Sequence, residues 1–406
     1  MRRRYHLVIV LCCFLVLFIN QGLPATSFNV FQSYLVALPG VGDVGGSLVL
    51  TVRTLVSLVA LLFVGVFYRR VSLRAGVALA TLLTAAGFGV YSQAQGLPLL
   101  CLGSVLTGLG YGFGGMVATT MLIGNWYRGH IGTVVGVAAM GSGVASIVMP
   151  VAAAALIARF DLATAFRAEA LLALGLGAVA VGLLRSRPQD VGLAPTQEDD
   201  PLAQRRRRRV RVGTSTLPPA DKRLMLVALT LLGAVAIVGN GYFSVLLTSS
   251  GVSLGTAAAL TAVLGCALTV SKLACGWVLD AAGSTRGSLA FFALLIAGLV
   301  LCCLVGPGGD ADGFFAAVLY GLGVAVATTG VSVWALELSA PADRLGLLRD
   351  FQVAYAFGGF AFNLAPGLIA NATGGYAASY ALLGAMAVAC AAIVGVVYRR
   401  HDRRAR

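Results

Sequence analysis

The chain has 406 residues, 59% of them hydrophobic and 11% charged, with a mean hydropathy of +0.91. A soluble domain carries about 25% charged residues, so this composition excludes a water-soluble globular fold and makes lipid the solvent for most side chains. The net charge is +14 and the pI ≈ 9.8, and the placement of the cations decides what that charge does.

Crossing about 30 Å of hydrocarbon takes about 20 helical residues. Twelve apolar runs qualify, at 6–34, 44–67, 75–94, 98–123, 130–157, 163–184, 224–249, 255–279, 287–306, 313–337, 345–371 and 375–398. The opening "MRRRYHLVIVLCCFLVLFIN" has the charged start and apolar body of a signal peptide. With eleven more apolar runs behind it, it reads as a retained first span. One long polar stretch, 185–223, rich in Pro and charge, separates six runs from six. The predicted architecture is an all-α integral membrane protein, with twelve transmembrane helices in two six-helix bundles around a central cavity. Residues 1–184 form the N-terminal bundle, 185–223 a cytoplasmic basic linker, and 224–406 the C-terminal bundle with a short basic tail.

On this layout 25 of the 29 Lys and Arg fall on one side, in the N-terminus, the loops after spans 2, 4, 8 and 10, the linker and the tail. Only Arg159 and Arg167 fall on the other, and Arg53 and Lys272 lie inside spans. This asymmetry predicts an inner-membrane protein with both termini cytoplasmic. The "RRRRR" at 205–209 then holds topology and touches anionic lipid rather than nucleic acid. The eight cysteines include the adjacent pairs Cys12–Cys13 and Cys302–Cys303, with no CxxC and no accompanying His. They read as small buried hydrophobes, so no disulfide, metal or cofactor is expected.

The halves repeat. After span 2 the chain reads "GVFYRRVSLR", containing Gly65, Arg69, Arg70 and Arg74; after span 8 it reads "GWVLDAAGSTR", containing Gly276, Asp280, Gly283 and Arg286. A 6+6 repeat with this loop in both halves resembles the major facilitator superfamily of transporters. In the first copy Arg69 stands where that family has Asp, and Ser72 where it has Gly. "NWYRGHIGTVVGVAAMGSG" (125–143) and "RSRPQDVGLAP" (185–195) are similar to segments of the monocarboxylate carrier and oxalate/formate antiporter branch, with His130 in place of an Arg and Val134 in place of an Ala. "SKLACGWVLD" is similar to that branch's eighth helix, with Lys272 where an Arg stands. The acidic-Gly-aromatic signature of animal monocarboxylate carriers is missing, and span 11 lacks the mid-span cation of the oxalate carrier.

Lys272 lies eight residues before Asp280, about 12 Å along the helix and near the midplane. An ammonium there costs about 2.5–3.5 kcal/mol on insertion scales, so it serves either as ligand or as a structural cation bonded to carbonyls. Arg53, about 24 Å up span 2 from Arg69, either guides an anion or anchors the helix at the interface. No Asp or Glu is expected at mid-span in any helix. Two cations without an intramembrane carboxylate make the missing anion the expected substrate. Asn20, Gln21, Tyr111, Asn240, Tyr242, Thr328, Thr329, Gln352 and Tyr355 either complete the cavity or bond between helices.

The resulting expectation is a secondary transporter of a small organic anion, in particular a monocarboxylate, by antiport or proton symport. A carrier of neutral or cationic compounds, including drug efflux, and a non-transporting sensor are the alternatives. No HExxH, nucleophile motif or carboxylate pair at membrane depth argues for an enzyme.

Overall fold

The computed structural model describes residues 5–27, 31, 35, 41–193, 217–306, 309–363 and 365–404. Contacts divide the chain into two units, one of Met1–Arg128 with Val137–Gln197 and one of Gly129–Gly136 with Glu198–Arg406. The basic run of the linker and Arg2–Arg4 lie outside the described residues.

Unit 1 contains α1 (Tyr5–Leu17, continued as a π-helix over Phe18–Ser27), α2 (Gly42–Arg70), α3 (Leu73–Tyr91) and α4 (Leu97–Gly114, then Met116–Trp126). It also takes in most of α5 (Ile131–Arg159) and all of α6 (Leu162–Leu183). Unit 2 contains α7 (Pro219–Gly233, a π segment over Ala234–Val238, then Phe243–Ser249), α8 (Leu254–Ala282), α9 (Ser284–Leu304), α10 (Asp310–Val324, then Thr329–Glu337), α11 (Arg344–Ala361, then Ala365–Thr373) and α12 (Ala377–Arg404). Among the described residues eleven of these are long and apolar enough to cross a membrane. The eleventh predicted run departs from expectation: α11 is interrupted at Phe362–Asn363. Pro366, at the second position of the following helix, has no N–H and crowds the carbonyl four residues back.

The repeat seen in the loops extends to the packing. In unit 1, α3 packs on α4 and α6, α4 on α2, and α6 on α1; in unit 2, α9 packs on α10 and α12, α10 on α8, and α12 on α7. The interruptions repeat too, π-helical in α1 and α7 and short breaks in α4 and α10. A π turn or break frees backbone groups that lipid cannot satisfy, so side chains must reach them. In unit 2 the hydroxyls of Tyr320 and Tyr380 donate to the carbonyls of Val235 (2.8 Å) and Gly239 (2.5 Å). In unit 1 Tyr68 donates to Phe113 (2.7 Å) and the Arg53 guanidinium to Pro24. Between spans, Asp161 caps α6 by accepting from the Thr164 N–H at 2.6 Å, and bonds from Thr164 hold its carboxyl below the usual carboxylate range.

The core of unit 1 gathers Phe18, Leu23, Phe31, Phe88, Tyr91 and Phe166. Leu7, Phe63, Val151, Leu171, Trp277 and Leu368 are exposed, as expected of lipid-facing side chains. In unit 2 the start of α7 is tied to the first half of α11 by Lys222–Asp350 at 2.7 Å and to the last turns of α12 by Arg400–Asp221 at 3.0 Å.

Glycine sets how closely α7 and α11 approach. A Cβ on Gly233 would stand 1.8 Å from the Tyr355 carbonyl oxygen, and one on Gly358 would stand 1.8 Å from that of Thr230. Both obstacles are backbone. Gly358→Ala is therefore expected to destabilise unit 2 by about 1–3 kcal/mol. Gly346→Ala, in the same helix but facing open space, should be neutral or stabilising by up to about 1 kcal/mol. Thermal unfolding of the two purified variants compares them directly, and equal midpoints would show that the approach is not tight.

Candidate functional site

The predicted residues of unit 1 collect around the interruptions of α1 and α4. Asn20 is fully buried: its amide nitrogen donates to the Val16 carbonyl (3.1 Å) and the Thr81 hydroxyl (3.3 Å), and its oxygen accepts from Thr84 (2.8 Å). Its polar atoms tie α1 to α3. Gln21 and Tyr111 are half-buried and meet at Gly115, where a Cβ would lie 2.6 Å from the Tyr111 carbonyl oxygen and 3.1 Å from the Gln21 amide nitrogen. Arg53 is half-buried, with Tyr91 and Tyr111 within its electrostatic reach as well as the Pro24 carbonyl. Tyr91 was not singled out by sequence. It bonds Ser104 (2.9 Å) and Thr107 (3.3 Å), and Ser104 in turn donates to the Val49 carbonyl (2.8 Å), linking α2, α3 and α4.

In unit 2, Lys272 is 6% exposed, buried by protein. Its carbonyl accepts from the Thr329 hydroxyl at 3.2 Å, which joins α8 to the second half of α10. The start of α5 packs against the same turn: a Cβ on Gly136 would lie 2.5 Å from the Lys272 carbonyl oxygen. Thr328, Gln352 and Tyr355 are half-buried, and Asn240 is exposed. Tyr242 sits apart from them at the α11 break, donating to the Asn363 carbonyl (3.0 Å) and stacking on Tyr376 at 5.9 Å.

The loop residues divide by half. Asp280 accepts from the N–H groups of Gly132 (3.1 Å) and Thr133 (2.7 Å) and from the Thr133 hydroxyl (2.6 Å), capping the start of α5. Gly276 faces Gly132 so closely that a Cβ would fall 2.0 Å from its carbonyl oxygen. Gly283 ends α8 at φ +84°, a conformation that suits glycine. In the first half Ser72, at φ −63°, is the N-cap of α3 and accepts from Ala75, so no glycine is required there. Gly65 is buried, Arg69, Arg70 and Arg286 are exposed, and Arg74 donates to the Val181 carbonyl at 3.0 Å.

The two segments that suggested the carboxylate-carrier branch pack on each other. The Trp126 indole donates to the Arg185 carbonyl (3.0 Å), the Asn125 amide to that of Ser186 (3.2 Å), and the Tyr5 hydroxyl to that of Leu183 (2.6 Å). These bonds satisfy carbonyls at the exit of α6, which is structural work.

One expectation is overturned. Glu169 lies within α6, eight positions into the helix and 1% exposed, so a carboxyl does stand at membrane depth. Arg167, two positions before it, is exposed. The helical period puts Glu169 on the face of Phe166 and Ala173, which is the signal that would have found it.

Two repeated six-helix units with interrupted first and fourth helices define a multi-pass membrane transporter. The description of the Major Facilitator Superfamily matches residues 9–348, and the chain belongs to that family. It is a transporter by family rather than an enzyme. Solved structures share the fold. The human organic anion transporter MFSD10 (TETRAN) has a TM-score of 0.69 at 16% identity, over 97% of this chain and 99% of that one. FucP in the outward conformation has a TM-score of 0.71 at 13% identity, over 97% of each chain. A double-Trp mutant of XylE has a TM-score of 0.74 at 14% identity, over 96% of this chain and 94% of that one. No curated protein matches the sequence.

Proposed function

We propose that the protein carries a small organic anion, in particular a monocarboxylate, across the cytoplasmic membrane by alternating access, as antiport or proton symport. The observation that carries this reading is Lys272, a cation at membrane depth enclosed by protein on α8. In a medium where water screens poorly, its attraction for a carboxylate exceeds that of an exposed pair. Arg53, Gln21 and Tyr111 supply the matching polar set in unit 1, and Gln352, Tyr355 and Asn240 that in unit 2. Asn20 and Tyr242 enter this reading as supports of the interrupted helices. The fold shared with a human organic anion transporter is compatible with an anionic cargo.

Reconstituted protein is expected to bind short monocarboxylates and to accumulate label in counterflow. Binding without counterflow would make it a sensor, and counterflow of cations but not carboxylates would defeat the anion reading. The cation asymmetry supports cytoplasmic termini and linker. In a background without native cysteines, thiols introduced at Ser215 and Ala311 should label from opposite faces of the membrane, and same-face labelling would break the topology.

A further inference from the structure

The end of α10, the start of α9 and the last turns of α12 meet around one carboxyl of unit 2. Glu337 is the final residue of α10, and its Oε2 accepts from the Tyr398 hydroxyl of α12 at 2.8 Å. Tyr398 is 1% exposed, so this bond lies inside the protein. Ser284, the first residue of α9, is 3% exposed and lies near both Glu337 and Tyr398. Its hydroxyl meets neither in hydrogen-bonding geometry and has no other partner among the described residues. A buried hydroxyl left in this way carries the desolvation cost of its oxygen with nothing in return.

The field at this point is negative. Asp280 of α8 and Asp402 of α12 lie within electrostatic reach of Glu337. Both are engaged elsewhere: Asp280 holds the start of α5, and Asp402 accepts from the Thr285 hydroxyl at 3.5 Å. They therefore add charge without adding ligands. The closing carbonyls of α10 have no partners within the helix, and its dipole puts further negative charge at this end. Of the cations close by in the chain, Arg400 bonds Asp221 at 3.0 Å, and Arg286 and Arg399 are exposed. Carboxylate and hydroxyl oxygens are hard ligands for a metal cation, which would take up the idle Ser284 oxygen and neutralise Glu337 together. One available carboxylate balances one positive charge. A divalent ion asks for several converging carboxylates, and among the described residues no three Asp, Glu, His or Cys side chains converge for a metal.

We propose that Glu337, Ser284 and Tyr398 form a binding site for a monovalent alkali cation at the closing end of α10. The ion ties α9, α10 and α12 together beside the Asp280 contact. The site stands on the geometry of unit 2 and does not depend on the anion-carrier reading. Thermal unfolding of the purified protein in sodium, potassium or N-methyl-D-glucamine chloride tests it without any cargo. A ligand bound only by the folded state raises the midpoint with its concentration, and equal ionic strength removes general screening. Sodium or potassium should raise the midpoint saturably above N-methyl-D-glucamine, and the one effective at lower concentration is the ion the site takes. Glu337→Gln keeps an acceptor for Tyr398 but loses the charge, and should weaken the apparent affinity about ten- to one-hundred-fold. Ser284→Ala leaves the carboxylate in place and should weaken it about two- to tenfold. Equal midpoints in all three salts overturn the proposal. Wild-type affinity in Glu337→Gln, or in Ser284→Ala where the first variant does not fold, also overturns it.

Discussion

Lys272→Gln is expected to lower monocarboxylate uptake about ten- to one-hundred-fold while leaving expression and thermal stability near wild type. A charge-assisted hydrogen bond contributes about 1.5–3 kcal/mol, and each 1.4 kcal/mol is about tenfold in affinity. Glutamine keeps most of the side-chain length and leaves untouched the backbone carbonyl that receives the Thr329 hydroxyl. It also leaves the close approach of Gly136, which is to main-chain atoms of the same turn. The substitution therefore removes charge with little change in packing. Lys272→Arg should retain part of the activity, because the charge survives while its reach and planar geometry differ. Initial rates in proteoliposomes, normalised to folded protein, give the comparison. Uptake by Lys272→Gln at the wild-type rate would return the lysine to a purely structural role.

The sequence carried the broad architecture because lipid imposes a simple rule. Every span must be about 20 apolar residues of helix, so eleven of twelve runs could be counted directly. The remaining run, the eleventh, is apolar enough to count, but its break, which follows from Pro366, is not marked by hydropathy. Other features were invisible because they depend on partners far along the chain. No residue in "GAVAIVGNG" marks a π turn; the turn is supported by Tyr320 and Tyr380, more than 80 residues away. Trp126 and Arg185, 59 positions apart, gave no sign in sequence that they would meet, although the indole of one donates to the carbonyl of the other just beyond the end of α6. The burial of Asn20 was equally hidden, since it depends on Thr81 and Thr84 of a neighbouring helix. Glu169 differs: its helical spacing with Phe166 and Ala173 lies within one short stretch of sequence.

Asp280→Ala is expected to accelerate amide exchange at Gly132 and Thr133 about thirty- to seven-hundred-fold. The carboxylate accepts three hydrogen bonds at the first turn of α5, two of them from backbone N–H groups at 3.1 and 2.7 Å. Those are orphan donors that no turn of α5 itself satisfies, and the negative charge also lies at the positive end of the helix dipole. Losing such a cap costs about 2–4 kcal/mol, which gives that range of opening constants at 1.4 kcal/mol per decade. Asp280→Asn should fall between, since one acceptor survives without the charge. The same contact can be attacked by shape alone. Gly276→Val places a Cβ 2.0 Å from the Gly132 carbonyl oxygen, an obstacle of backbone that has no rotamer to move, so the start of α5 must be displaced. If Asp280 and the glycine pair act as one latch, both variants should deprotect residues 129–136 and both should slow transport. Gly346→Ala, facing open space, supplies the control that separates this local opening from general loosening. Exchange at Gly132 and Thr133 unchanged in Asp280→Ala would mean that the carboxylate is incidental to the contact and that the glycines alone hold it.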